Sequence, residues 1–136
     1  MSSSSVISLS ILVADDENSI RSLLVSWLQR FGHLVVSAGN AQEAMRYVSE
    51  QHFDLVITDV VMPDGDGFEL IGALRKAQPA ARLLAISGGG KFLEGADCLK
   101  VARGLGAHAV LMKPFSWDQL QAAINSALLA GESNAA

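Results

Sequence analysis

Five short apolar runs, ILVA (11–14), LVV (34–36), LVI (55–57), LLAI (83–86) and AVLM (109–112), alternate along this chain with stretches of helical period. Each run is nearly continuous rather than polar at every second position, as in strands of a parallel sheet covered on both faces. Parallel neighbours need crossovers, and the intervening segments supply them. Between the first two runs Ile20, Leu23, Leu24, Trp27, Leu28 and Phe31 recur at helical spacing, and Gly32 stands where a helix would end. Three more helices open on capping boxes: Asn40 with Glu43, Asp66 with Glu69, and Ser116 with Gln119. Pro79 closes the helix begun at Asp66. Another helix is expected within 92–104, weakened by Gly95 and Gly104. The series predicts an α/β fold, a doubly wound five-stranded parallel sheet with helices on both faces. Residues 9–130 are expected to form one domain, with a flexible segment at 1–8 and a small polar tail at 131–136 that frays.

Composition narrows the class. Half of the 136 residues are apolar, 18% are charged and the net charge is -4, which argues against disorder and against a nucleic-acid partner. Cys98 is alone, so no intrachain disulfide is possible and a reducing compartment is expected. No Lys or Arg precedes Arg21, unlike a secretory signal, and no run approaches the roughly 18 apolar residues of a membrane span. A soluble, cytoplasmic protein with no membrane partner is the expectation.

In open parallel sheets ligands bind outside the carboxyl ends of the strands. Asp15, Asp16 and Glu17 follow the first run, Asp59 the third, Ser87 the fourth, and Lys113-Pro114 the fifth. Neighbouring strands would bring these groups to one edge. Asp15, Asp16 and Asp59 together repel one another unless a cation or proton intervenes, and Mg²⁺ beside a phosphoryl group suits such oxygen ligands. Lys113 and Ser87 would donate to phosphoryl oxygens, and Asp59 is a candidate nucleophile able to form an aspartyl phosphate. Glu17 reads as a solvated residue at a helix start, favoured by the dipole.

Other candidates fall away. DGDGFE (64–69) is not a calcium loop, because Phe68 takes the fifth ligand position. GGGK (88–91) is not a phosphate-binding loop, because Ala85 stands where its first glycine belongs and Phe92 replaces its Ser or Thr. His33, His52 and His108 have no metal-site spacing and are expected at the surface or hydrogen-bonded. Trp27 fits the core face of the first helix, and Trp117 is expected to be exposed.

In order, ILVADDE, LVITDVVMPDGDGFEL, LLAISG and AVLMKPF resemble the successive motifs of the receiver domain of two-component response regulators, from about residue 9 to about 130. The resemblance implies a flavodoxin-like sheet in the order 2-1-3-4-5. It also implies that Asp59 accepts a phosphoryl group from a phosphohistidine on a sensor histidine kinase or histidine phosphotransfer protein. Asp15 and Asp16 would hold Mg²⁺ directly or through water, with Asp59 and the main-chain carbonyl of Val61 completing the protein ligands. Ser87 and Lys113 would bind phosphoryl oxygens across a cis Lys113-Pro114 peptide. Such a domain is no enzyme beyond Mg²⁺-dependent self-phosphorylation and slow self-dephosphorylation.

The chain departs from that family at Val110, where receivers usually carry an aromatic switch residue, and in a longer segment from Ser87 to Lys113. Gly88 leaves the acceptor open, and neither Val61 nor Gly89 can orient a hydrolytic water, so a long-lived phosphoryl group is expected. With nothing following the domain to bind DNA, output is expected through contact with a downstream protein by a monomer or weak dimer, or through onward phosphotransfer to another histidine. Two other classes compete. A small aspartyl-phosphate hydrolase would want DxDx(T/V) at the first strand, and a flavodoxin-like cofactor binder would not line its strand ends with acids.

Overall fold

The computed structural model of the chain describes residues 8–60, 62, 67–88, 100 and 102–135. Its strands are β1 (Ser10–Ala14), β2 (Leu34–Ala38), β3 (Leu55–Asp59), β4 (Arg82–Ser87) and β5 (Ala109–Met112). They form one parallel sheet in the order β2-β1-β3-β4-β5, with Val13 opposite both Ser37 and Ile57 and with Ser87 opposite Met112. The helices are α1 (Asn18–Arg30), α2 (Ala41–Glu50), α3 (Gly67–Ala77), α4, whose described residues are 100 and 102–104, and α5 (Trp117–Ala135).

Strict side-chain alternation along each strand splits the core in two. Leu12, Val56, Leu83 and Ala85 face α2 and α3, meeting Ala44, Val48, Leu70 and Leu74. Ile11, Val13, Ile57, Leu84 and Ile86 face α1 and α5, meeting Leu24, Leu28, Leu120 and Ile124. Burial on both faces is why these runs are continuously apolar, and each such side chain contributes about 1.5–3 kcal/mol. The edge strand β2 is less enclosed, with Leu34 70% exposed and Ser37 exposed.

Local signals set the helix ends. Gly32 takes φ 87°, a left-handed conformation that glycine adopts without steric cost, and its N–H donates to the Gln29 carbonyl. Asn40 Oδ1 accepts the Glu43 N–H at 2.8 Å, while Glu43 Oε1 reaches back to the N–H of Gly39, one residue before the cap. Ser116 and Gln119 close a full capping box, with bonds of 3.1 and 2.8 Å. Asp66 and most of 92–104 lie outside the described residues.

The last helix runs from Trp117 through Ala135, with no proline to interrupt it. One expectation changes. Trp117 is half-buried, not exposed. It stacks on Phe31 at 4.5 Å and meets Trp27 edge-on at 5.7 Å, because the first turn of α5 lies against the last turn of α1. No helix among the described residues is long and apolar enough to cross a membrane.

Candidate functional site

The carboxyl ends of β1, β3, β4 and β5 meet at one edge because β1, β3, β4 and β5 are successive neighbours in the sheet. Asp15, directly after β1, is anchored by its N–H to the Ala38 carbonyl at 3.1 Å, and its Oδ1 accepts the Glu17 N–H at 2.9 Å. Its Oδ2 is buried and accepts no hydrogen bond. Asp59 ends β3 and is buried. Lys113 follows β5, its N–H bonded to the Ser87 carbonyl at 2.9 Å, and the Lys113-Pro114 peptide is cis.

Lys113 Nζ lies 2.6 Å from Glu17 Oε1, 2.8 Å from Asp59 Oδ2 and 3.0 Å from Asp15 Oδ2. One ammonium therefore serves three carboxylates, leaving the group with a net charge of about -2 at neutral pH. Burial works to lower the Lys113 pKa, but hydrogen bonds to Asp59 and Glu17 and the charges of Asp59 and Asp15 outweigh it and raise it. Burial, with the charge of Asp59 adding to it, raises the Asp15 pKa more than the Glu17 N–H and the shared lysine lower it. The ion pair thus stabilises the lysine's charge without fully compensating Asp15.

Ligand atoms of Asp15, Glu17 and Asp59 all lie within 4.8 Å of one another. This all-oxygen set, in which the buried Asp15 Oδ2 accepts no hydrogen bond and has only the shared Lys113 ammonium at 3.0 Å, fits a hard divalent cation. Asp16 is exposed and stands outside that group. Ser87 is fully buried at the end of β4. Gly88 makes room for the lysine stem, since a Cβ there would lie 3.3 Å from Lys113 Cδ. Val110 is half-buried against the core beneath α2 and α3, and Pro114 is exposed. Val61 and Gly89 lie outside the described residues.

Sequence reasoning missed two residues. Glu17 is 54% exposed, as expected of a helix start, yet it makes the shortest contact to Lys113. Its signal was only its place in the same loop as Asp15. Gly67 is where α3 crosses the end of β3: a Cβ there would sit 2.3 Å from the Asp59 carbonyl oxygen. Nothing in a linear sequence marks that crossing.

The fold and this edge define a doubly wound α/β domain with acids, a lysine and a hydroxyl gathered at the carboxyl ends of its strands. Residues 11–125 match the response regulator receiver domain, and the chain belongs to that family. It is 40% identical over 118 residues to the DNA-binding transcriptional regulator NtrC of Azospirillum brasilense, covering 87% of this chain and 24% of that protein. The chain thus spans about a quarter of the length of its NtrC relatives. A response regulator receiver domain protein from Clostridium thermocellum superposes with TM-score 0.80 at 29% identity, covering 94% of this chain and 99% of that one. A response regulator from Burkholderia pseudomallei, with a phosphorylated aspartic acid, a calcium ion and citrate, gives 0.76 at 28% identity, covering 91% and 72%.

Proposed function

We propose that this receiver domain accepts a phosphoryl group on Asp59 from a phosphohistidine of a sensor histidine kinase or histidine phosphotransfer protein, with Mg²⁺, and signals by binding a downstream protein. The observation that carries this is the buried Asp59 carboxylate held 2.8 Å from Lys113 Nζ at the edge of an acidic cluster. The phosphorylated aspartate of the Burkholderia pseudomallei neighbour supports the same chemistry. A carboxylate oxygen of Asp59 attacks phosphorus, the P–N bond breaks, and the imidazole leaves with its electron pair. Lys113, already able to contact three carboxylates from one position, turns its ammonium to a phosphoryl oxygen, and the Ser87 hydroxyl donates to another. Asp15, Asp59 and, directly or through water, Asp16 would hold the cation, with a main-chain carbonyl from residue 61 as the resemblance implies, and it would supply charge neutralisation at the phosphoryl oxygens.

Incubation with acetyl phosphate and Mg²⁺, followed by intact mass, tests the assignment. The parent gains one phosphoryl group and Asp59→Asn gains none. Labelling of the variant would move the acceptor elsewhere, and phosphate release without accumulation would indicate a hydrolase. A second reading, onward transfer to another histidine, follows from Val61 and Gly89, whose side chains offer no group to position a hydrolytic water. Loss of label to an added histidine phosphotransfer protein, faster than to water, distinguishes relay from a binding output.

A further inference from the structure

At the sheet's opposite, N-terminal edge, two histidines occupy equivalent places. β2 and β5 are the two edge strands. His33 immediately precedes β2, and His108 immediately precedes β5. His33 Nδ1 accepts the N–H of Leu9, the residue before β1, at 3.1 Å, while Leu34 returns its own N–H to the Leu9 carbonyl at 2.9 Å. His108 Nδ1 accepts the N–H of Leu83 in β4 at 3.0 Å, while His108 returns its backbone N–H to the Leu83 carbonyl at 2.8 Å. A backbone N–H only donates, so each Nδ1 carries a lone pair and each ring is the neutral Nε2–H tautomer. Both rings are half-buried.

We propose that His33 and His108 are proton-sensitive clips that fasten both edge strands to their inner neighbours and let go on mild acidification. A proton on Nδ1 would face an N–H donor, losing one bond and stranding two donors against each other. The surroundings favour the neutral form. Burial lowers the His108 pKa first, and Arg75 of α3 and Arg82 of β4 lower it further. Burial alone lowers that of His33, whose adjoining elements carry Arg30 in the last turn of α1 and Asp54, which holds the Ser10 N–H of β1. β4 and β5 bear Ser87 and Lys113 at or just beyond their far ends, so release at Leu83 slackens the strand pair that positions both. The clip itself does not depend on phosphoryl chemistry.

The sign follows from linkage. The clips hold fully above the unfolded-state value of 6.5, and their stabilisation is lost as pH falls from there toward the lowered folded values. The test compares the parent with the double variant His33→Asn, His108→Asn, whose Oδ1 also accepts an N–H but does not titrate. Between pH 7 and 5 the parent's unfolding constant should rise by up to about tenfold per pH unit for each histidine beyond the rise in the variant. Parallel curves would overturn the proposal. A second measurement needs no variant: imidazole ¹⁵N shifts at pH 7.5 should report Nε2–H for both residues, and exchange of the Leu9 and Leu83 amides, corrected for intrinsic rates, should quicken at pH 5.5 relative to Leu12 and Ile57. An Nδ1–H tautomer, or unchanged protection at both amides, would sink it.

Discussion

Lys113 is the residue on which the site's electrostatics turn. Its ammonium, on a side chain only 12% exposed, is the one cation within 3.0 Å of Asp15, Glu17 and Asp59 among the described residues. Removing one partner of a buried ion pair leaves uncompensated charge, which costs about 3–5 kcal/mol. Lys113→Ala should therefore lower stability by about 3 kcal/mol in chelator, at the low end because Glu17 is half-exposed. A divalent cation can take over that compensation, so the loss should shrink in Mg²⁺. Denaturant unfolding with and without Mg²⁺ checks this, and an equal loss in both would separate the lysine from the cation. Glu17 calls for a milder expectation. Glu17→Gln should change stability by less than about 1 kcal/mol, as for other exposed pairs, and weaken Mg²⁺ binding about tenfold, the low end for groups around a metal site. Calorimetric titration decides, and an unchanged affinity would leave Glu17 as an anchor for the lysine alone.

Elements were more legible than their contacts. The five apolar runs fall within the five strands, because burial on both faces leaves no polar positions to break them. Capping at Asn40 and Ser116 was equally visible, since a cap is a local bargain between residues three apart. The acids and lysine at the strand ends could be placed at one edge once the strand order was inferred. What could not be read were pairings that depend on how elements cross: Trp117 on Phe31, Glu17 on Lys113, and α3 against the end of β3. The last sets a sharp expectation. At Gly67 an added Cβ would meet two backbone atoms, the Asp59 carbonyl oxygen at 2.3 Å and Val60 Cα at 2.5 Å, neither able to swing aside. Gly72, on the same helix, has nothing within 4 Å. Gly67→Ala should destabilise by about 2–3 kcal/mol and slow phosphorylation by displacing the end of β3. Gly72→Ala should be neutral or stabilise by up to about 1 kcal/mol. Similar unfolding midpoints for the two variants would contradict the close crossing.

Across the whole molecule the sheet's two ends are built on opposite terms. At the N-terminal edge Asp54, His33, His108 and Gln78 each accept a backbone N–H, and Gln78 also donates to the Val48 and Gln51 carbonyls, so these four side chains are paired. At the C-terminal edge Asp15 is buried with one oxygen lacking a hydrogen bond, and the fold bears that cost. Because burial raises the folded-state pKa of Asp15, its contribution to stability is present below 3.8 and lost as pH rises through the folded value, so the ionised form strains the protein at neutral pH. Asp15→Asn keeps an oxygen to accept the Glu17 N–H while removing the buried charge. In chelator near pH 7 this variant should unfold a few degrees higher than the parent. Mg²⁺ should reverse the order: ligand at 100 times its dissociation constant adds about 2.7 kcal/mol to a protein that binds it, and the variant lacks the central carboxylate. Paired thermal scans with EDTA and with Mg²⁺ measure both halves. A variant less stable than the parent in EDTA would mean that Lys113 fully compensates Asp15, and the site would then not be held in a strained state that a cation relieves.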